Sequence, residues 1–352
     1  MNKLFLSLSI QDKILFAKRL SILIKAGVPL LECLQMMHKQ ASTRSTRKIL
    51  EVLKADVESG QYLSASMTKF KKIFGDFAVN IIRVGEVSGT LYENLHYLAE
   101  ELKKKQALRR KVVNALVYPI FIIIATFGIT GLLTIYVFPK VLPIFSSLNF
   151  PLPWTTKVLI FISNLFLHYG FWILGGLVGL VAVFFFLMRN KKFKLFFDRT
   201  ILRIPLVGRI SQGYNMANLC RTFGLLLKSD VMIVEAAKIT ANSLNNLAYR
   251  KELHAIGENI TKGETVSAHM HRKSKLFPAI LSQMVTVGES TGNLSDTLIY
   301  LSDLYESEVD DLTKNLSSVL EPALMAFMGI IVGFIAISII TPIYEVTQYL
   351  KP

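Results

Sequence analysis

The residues best suited to chemistry are two glutamates, Glu86 and Glu289, because each follows a glycine in the same pattern, Gly-Glu-x-x-Gly-x-Leu. A carboxylate in this setting could be a buried acid or base. Alternatively, it could cap the start of a helix or accept hydrogen bonds from backbone N–H groups at a helix joint. We favour these structural roles over a buried acid or base. The candidate site comprises the repeated motif residues Gly85, Glu86, Gly89, Leu91, Gly288, Glu289, Gly292 and Leu294.

Sequence patterns of enzymes are missing elsewhere. The chain has no phosphate-binding glycine loop, nucleophile elbow, zinc-protease motif or paired Cys-x-x-Cys sequences. His269 and His271 could suggest a metal, but side chains two positions apart on a helix diverge, and no carboxylate or cysteine flanks them. Cys33 and Cys220 have no pairing motif. We therefore predict a protein that is not an enzyme, has no cofactor, metal or disulfide, and buries both cysteines as thiols.

The two motifs belong to a long internal repeat. Gly85 and Gly288 are separated by 203 positions. The same displacement, without a gap, relates further pairs of identical residues: Lys25 and Lys228, Gly60 and Gly263, Phe74 and Phe277, Pro119 and Pro322. A period of this length indicates a duplicated domain and not a solenoid of short repeats.

Three stretches of the chain, residues 120–138, 170–188 and 323–344, contain no charged residue. As helices of about 19–22 residues they would be roughly 28–33 Å long, which matches a bilayer core of about 30 Å. They also account for a hydrophobic fraction of 52% and a mean hydropathy of +0.44. We predict three transmembrane helices, at residues 119–139, 170–188 and 323–344.

The remaining sequence divides into two helical modules, residues 1–118 and 189–322, and a loop at residues 140–169. The loop carries only Lys140 and Lys157 and no acid, whereas basic residues cluster before the first span and after the second. The positive-inside rule then predicts that the N-terminus and both modules are cytoplasmic and the loop is extracytoplasmic. The net charge of +15 is explained by contact with anionic membrane lipids, so we expect no direct binding of nucleic acid.

Local signals predict an all-α fold. Ser9 and Asp12 form a capping box, Gly27 ends the helix that follows, and another helix occupies residues 44–59. The helix before the first motif is expected to end at residues 80–84, with Gly85 and Gly89 providing backbone freedom around Glu86.

The next helix in each copy is expected to be capped by Thr90 or Asn293 and to run towards the membrane. In the first copy it should end in the basic cluster, with Pro119 marking entry to the bilayer. Residues 155–167 should form a separate amphipathic segment on the outer leaflet. Asp230 replaces Gly27 in the second copy, so we expect a strained turn there.

Charge is unevenly distributed within the second module. Its first part is basic, and the helix before the third span is acidic. The acids on that helix are Asp303, Glu306, Glu308, Asp310 and Asp311. They could attract a basic partner surface, or the two halves of the module could simply pack against each other.

Two tandem helical modules, three spans and one GExxGxL motif per copy together resemble the type II secretion F-type and type IV pilus PilC-type platform proteins. The resemblance covers residues 10–345 and includes Gly27-Val28-Pro29-Leu30 and the prolines Pro119 and Pro322 that enter spans. The short length and compact outer loop look most like the ComGB-type member of competence pseudopilus machines.

This resemblance implies a non-enzymatic platform in the cell membrane that forms homo-oligomers, contacts a hexameric assembly ATPase and passes pilin or pseudopilin subunits into a growing fibre. The fibre could serve type II secretion, a type IV pilus or DNA uptake in competence. One alternative is a membrane transporter or permease subunit, which would need a polar cavity among the spans. Another alternative is a membrane-anchored sensor or scaffold. Gene neighbourhood would distinguish it from a platform protein, whose gene should lie beside genes for an ATPase and prepilins. The spans contain no interior acid, lysine or arginine, which argues against an ion-coupled transporter.

Overall fold

The computed structural model describes residues 6–137, 139–140 and 153–349, and no strand occurs among these residues. The predicted all-α fold is confirmed. Residues 141–152 of the predicted outer loop lie outside the described residues, and so does Phe138 at the end of the first predicted span.

The first module is a bundle of short helices before the repeated joint. They are α1 (Ile10–Lys25), α2 (Leu30–Lys39), α3 (Arg44–Glu58), α4 (Leu63–Thr68), α5 (Lys71–Phe74) and α6 (Asp76–Ser88). The predicted capping box begins α1, because the Asp12 N–H donates to Ser9 Oγ at 3.1 Å and the Ser9 N–H donates to the Asp12 carboxylate at 3.0 Å. Gly27 follows α1 with a φ of 81°, a backbone conformation that glycine adopts without strain.

The chain then continues into long helices that reach the apolar stretches. These are α7 (Leu91–Leu132), which passes into a π-helical turn at Leu133–Val137, α8 (Trp154–Met188) and, at the end of the second module, α15 (Leu294–Tyr349). All three are long and apolar enough to cross a membrane, so the prediction of three transmembrane helices is confirmed.

The second module repeats most helices of the first. Its helices are α9 (Lys191–Ile201), α10 (Val207–Lys228), α11 (Ile233–Ser243), α12 (Leu247–Ile260), α13 (Val266–Arg272) and α14 (Ala279–Ser290). The starts of α11 to α15 each lie 203 positions after those of α2, α3, α4, α6 and α7, in that order. Asp230 has a φ of 58° where Gly27 stood, so the turn is kept with a non-glycine residue in a left-handed conformation, as expected.

The two modules form one compact unit, which comprises the described residues up to Lys111 together with Leu195–Leu312. Helix α6 of the first copy packs against α10 and α11 of the second. The two copies therefore share an interface, which the sequence could not predict.

In the second copy, the core contains Phe223, Tyr249 and Phe277, which are among the largest fully buried side chains in the structure.

A second unit contains Val112–Lys194 and the described residues from Thr313 onward. Hydroxyl groups link its helices: Thr156 Oγ1 donates to the Ser338 carbonyl, and Ser163 Oγ donates to the Thr134 carbonyl, both at 2.8 Å. Each donor is thereby satisfied without water, as a bilayer interior requires.

Two predictions about these helices were wrong. Residues 155–167 are not a separate amphipathic segment, because α8 runs unbroken through them for 35 residues. Helix α7 does not end in the basic cluster before Pro119, and α15 likewise continues through Pro322. Unpaired backbone groups are costly in lipid, which favours an unbroken helix even where one proline removes a donor.

Candidate functional site

In the first copy, the Glu86 carboxylate caps a helix that lies more than twenty residues earlier in the chain. Glu86 is on α6, and its two oxygens accept hydrogen bonds from the Leu63 N–H at 2.5 Å and the Ser64 N–H at 2.9 Å. These N–H groups begin α4, whose N-cap residue, Tyr62, makes no side-chain capping bond. A negative charge at this end also interacts favourably with the helix dipole.

Glu289 repeats this contact in the second copy. Its carboxylate on α14 accepts from the Val266 N–H at 2.6 Å and the Ser267 N–H at 3.0 Å, at the start of α13. Here Thr265 adds a local cap by accepting from the Ala268 N–H at 3.2 Å. Both motif glutamates therefore cap helices, as the sequence favoured, but the helices that they cap are distant in sequence and are not those of the joint.

The first motif glycine permits close packing and does not provide a bend, which corrects the prediction. Helix α6 runs past the expected end at residues 80–84 to Ser88, so Gly85 is helical. A Cβ atom on Gly85 would lie 2.9 Å from Leu91 Cα and 3.1 Å from Asn94 Cβ. A side chain there would push the start of α7 away from α6.

The equivalent Gly288 is less constrained. A Cβ atom there would lie 2.9 Å from Thr297 Oγ1, 3.0 Å from Thr297 Cβ and 3.1 Å from Leu294 Cα, so its nearest backbone contact is longer than the 2.9 Å at Gly85. The half-buried Leu91 and the buried Leu294 thus begin helices that cross their glycines at close range. The motif sets the spacing between two helices in each copy.

The second motif glycines provide the turn. Gly89 has a φ of 73° and Gly292 a φ of 70°, and a Cβ on either would meet no atom within 4 Å. Left-handed backbone at these two positions lets the chain leave one helix and enter the next. The predicted backbone freedom at the joint is therefore confirmed for these two glycines.

Substitution of the two kinds of glycine should lower the free energy of unfolding for different reasons. Gly85→Ala should lower the free energy of unfolding by about 1–3 kcal/mol through overpacking, and Gly288→Ala by less because its nearest backbone atom is farther away. Gly89→Ala should cost about 1–2 kcal/mol through left-handed strain, and Gly89→Asn less. Thermal unfolding of the full chain in neutral detergent would measure these effects. Equal losses for Gly85→Ala and Gly288→Ala would contradict the assigned close approach.

An ion cluster between the copies was not predicted. The Arg221 guanidinium on α10 lies 2.7 Å from both Asp303 Oδ1 and Glu306 Oε2 on α15, and its Nε lies 3.6 Å from Glu101 Oε2 on α7. Lys104 adds a contact to Asp303 at 3.1 Å. Arg221 and Glu101 are only 5% and 3% exposed. The cluster therefore joins charged side chains from both copies inside one unit.

The motif itself also reaches the other copy. Asn94, which lies beside Gly85, accepts a hydrogen bond from Ser229 Oγ at 3.3 Å, and both side chains are buried. Since Ser229 directly follows α10, this bond ties the first joint to the second module. No sequence signal identified Asn94, Ser229, Arg221 or Glu101, because none belongs to the motif.

The cluster changes the interpretation of the acidic helix. Three of its five acids pair within the unit, since Asp310 lies 3.2 Å from Lys111 in addition to the contacts of Asp303 and Glu306. Packing between parts of the chain therefore accounts for much of the charge pattern. The basic partners come from the first copy as well as from the second.

Glu101 lies in the charged part of α7, before the apolar stretch that begins at residue 120. Burial raises the pKa of its carboxyl from 4.5 to about 7, although Arg221 opposes this shift. Its Oε2 has no hydrogen-bond partner among the described residues. At pH values between about 4.5 and 7, the Glu101 carboxyl is more often protonated in the folded state than in the unfolded state. The free energy of unfolding therefore falls as the pH rises through this range.

We therefore expect Glu101→Gln to remove this pH dependence. The Tm of the variant should rise relative to the parent between pH 5 and pH 7, and the difference should level off above pH 7. Thermal unfolding across this range would measure it, with Glu100→Gln as a control for loss of one negative charge. A Tm difference that does not change with pH would contradict the proposed titration.

The histidine pair has a structural environment. His269 is buried, with Nε2 3.0 Å from Glu252 Oε2 and Nδ1 3.0 Å from Asn259 Nδ2. Across the described part of the chain, no group of three or more His, Cys, Asp and Glu residues is arranged to hold a metal ion. Among the described residues, the repeated motif can cap helices and fix the spacing between them, and the ion cluster around Arg221 can pair buried charges.

Comparison with known proteins places these features in a family context. The family described as type II secretion system (T2SS), protein F matches the chain twice, at residues 16–139 and 219–342, which are again displaced by 203 positions. The type IV pilus assembly protein PilC of Thermus thermophilus is 32% identical, covering 96% of this chain and 83% of that protein. PilC of Myxococcus xanthus is 30% identical over 95% of this chain and 80% of its own length. The type II secretion system protein F of Vibrio cholerae is 27% identical over 98% and 84%.

Proposed function

Because this chain belongs to the type II secretion system protein F family, we propose that it is a non-enzymatic membrane platform for assembly of a type IV pilus-like fibre or pseudopilus. The names of its relatives, which refer to pilus assembly and type II secretion, support this role. It is a multi-pass protein of the inner membrane with three apolar helices.

One observation carries the mechanism. Each copy ends in a single helix, α7 or α15, that begins at the glycine joint and continues through an apolar stretch. The joint is tied to its own module by a glutamate cap and by close packing at a glycine. A force on a module can therefore change the direction of a membrane helix without any chemical step.

The partners in this proposal are a hexameric assembly ATPase, pilin or pseudopilin subunits and further copies of this chain. Asp303 and Glu306 are weak candidates for the ATPase contact because they bind Arg221. Glu308 and Asp311 on the same helix are exposed. The double variant Glu308→Arg, Asp311→Arg should reduce co-purification of the cognate ATPase at low salt and leave the Tm unchanged. Undiminished co-purification at low salt would place the contact elsewhere.

Deletion of the gene tests the platform role itself. Cells without this protein should retain pilin or pseudopilin in the membrane but lose it from the surface fibre, and the wild-type gene should restore the fibre. We propose a competence pseudopilus as this fibre, so transformation by added DNA should be lost as well. Normal fibres in the deletion strain would refute the proposal, and normal transformation with lost secretion would favour a secretion system.

The proposed orientation, with both modules cytoplasmic, can be tested by cysteine labelling. Cys33 and Cys220 are buried, and burial raises the pKa of both thiols, so they should react poorly on either side. Exposed reporters at Gln61→Cys and Lys262→Cys should react with an impermeant reagent only after the cells are opened. Asn149→Cys, at a position outside the described residues, should react in intact cells. The reverse pattern would contradict the orientation.

A further inference from the structure

A basic pocket lies in the second module, away from the repeated joint. It has a volume of about 550 Å³, within the usual range for small-ligand sites. The short turn after α9 and the turn after α13 form two of its walls. Five cationic side chains line it, together with Ser274: Arg199, Arg203, Arg272, Lys273 and Lys275.

The walls of this pocket are fixed by buried contacts. The Asp198 carboxylate on α9 accepts from the Leu247 N–H at 2.7 Å, which holds α9 to the start of α12. On the other wall, the Leu276 carbonyl accepts from Gln212 Nε2 at 3.0 Å and from the Tyr249 hydroxyl at 3.1 Å. The cations therefore project from a rigid frame, which reduces the entropy lost on binding a ligand.

The positive charge of the pocket is largely uncompensated. Glu252 is the one acid in its lining, and it already lies 3.0 Å from His269 and 3.7 Å from Lys273. Arg272 pairs with Glu264. Within the described residues, Arg199, Arg203 and Lys275 have no acidic partner within 4.0 Å. An anion that entered would meet these three free cations.

The equivalent turn of the first copy is partly neutralised. There Lys69 and Lys71 each lie 2.7 Å from an acid, Asp56 and Asp76. The positions 203 residues after those acids are Asn259 and Ala279, which carry no charge. Helix α9, which brings Arg199, has no counterpart among the described helices of the first copy. The turn itself carries three cations in each copy, so the second copy differs by the added Arg199 and Arg203: the turn cations are Lys69, Lys71 and Lys72 in the first copy and Arg272, Lys273 and Lys275 in the second.

The geometry points to a binding site for a phosphate group in this pocket, and this inference does not depend on the proposed function. Two arginines on one wall offer planar forks of N–H donors that match phosphate oxygens, and Lys275 faces them as a point charge from the other wall. Both an anionic lipid headgroup and a soluble phosphate compound carry this group.

Binding to the full chain in neutral detergent tests the site with two probes, inorganic phosphate and dihexanoyl phosphatidylglycerol, measured by titration calorimetry. The pocket variant is Arg199→Gln, Arg203→Gln, Lys275→Gln. The control is Lys191→Gln, Lys192→Gln, Lys194→Gln, which removes the same charge from α9 outside the pocket lining. We expect the pocket variant to weaken binding at least about tenfold, since it removes three charged hydrogen-bond donors, and the control to weaken it less than about twofold.

Each outcome bears on the inference. Binding of inorganic phosphate with loss in the pocket variant supports a soluble ligand, and binding of the lipid alone supports a headgroup site. Absence of binding by both probes would overturn the proposal, and so would equal weakening in the two variants. Because the substituted side chains are exposed, apart from the half-buried Lys194 of the control, unchanged thermal unfolding of both variants should show that the fold is intact.

Discussion

Replacing Arg221 with leucine is expected to lower the free energy of unfolding by about 3–5 kcal/mol, the range observed when one partner of a buried ion pair is removed. Arg221 is the cation that faces Glu101, and both side chains are almost fully buried. Without it, the buried Glu101 carboxylate would keep only the more distant cations Lys104 and Lys105, with no hydrogen bond to its Oε2. Thermal unfolding of the full chain in neutral detergent at pH 8, where Glu101 is ionised, would show the largest loss.

The double variant Arg221→Leu, Glu101→Leu separates buried charge from lost packing. It should recover part of the lost stability, because the Glu101 charge is gone and the leucines fill the space, while Asp303 and Glu306 still lack their contacts to Arg221. Equal losses for the single and double variants would show that the Glu101 charge is not the cause.

Removing the motif carboxylates is expected to have the second largest effect. Glu86→Ala should cost about 2–4 kcal/mol, because two N–H groups at the start of α4 lose a charged acceptor and no local cap replaces it. Glu289→Ala should cost less, since Thr265 still caps α13. We expect Glu86→Ala to lower the free energy of unfolding more than Glu289→Ala, whatever the size of each loss.

Hydrogen exchange of the backbone amides localises this effect. Residues 63–68 should lose protection in Glu86→Ala, and residues 266–272 should lose less in Glu289→Ala. Adding Thr265→Ala to Glu289→Ala should bring the second copy to the level of the first. Glu93→Ala, which removes an exposed carboxylate nearby, is the control. A greater loss for Glu289→Ala than for Glu86→Ala would contradict the assigned caps.

For the glycines of the motif, the sequence predicted one part of the geometry correctly and misassigned another. Gly89 and Gly292 make the predicted turn, because a left-handed residue after a helix is a local signal. Gly85 was taken for a second bend, yet it lies within α6 and is needed for close approach to Leu91. Local pattern alone does not distinguish a glycine that bends the chain from one that admits a neighbouring helix.

The sequence by itself determined the duplication, the three apolar spans and most helix starts, because these depend on composition and on residues within one or two turns of each other. The tertiary structure alone decided which groups the carboxylates bind. Glu86 reaches 22 and 23 residues back to cap α4, and Arg221 pairs with acids 82 and 85 positions away. Such contacts depend on how helices pack, since a charged side chain is compatible with many partners until packing brings one of them within reach.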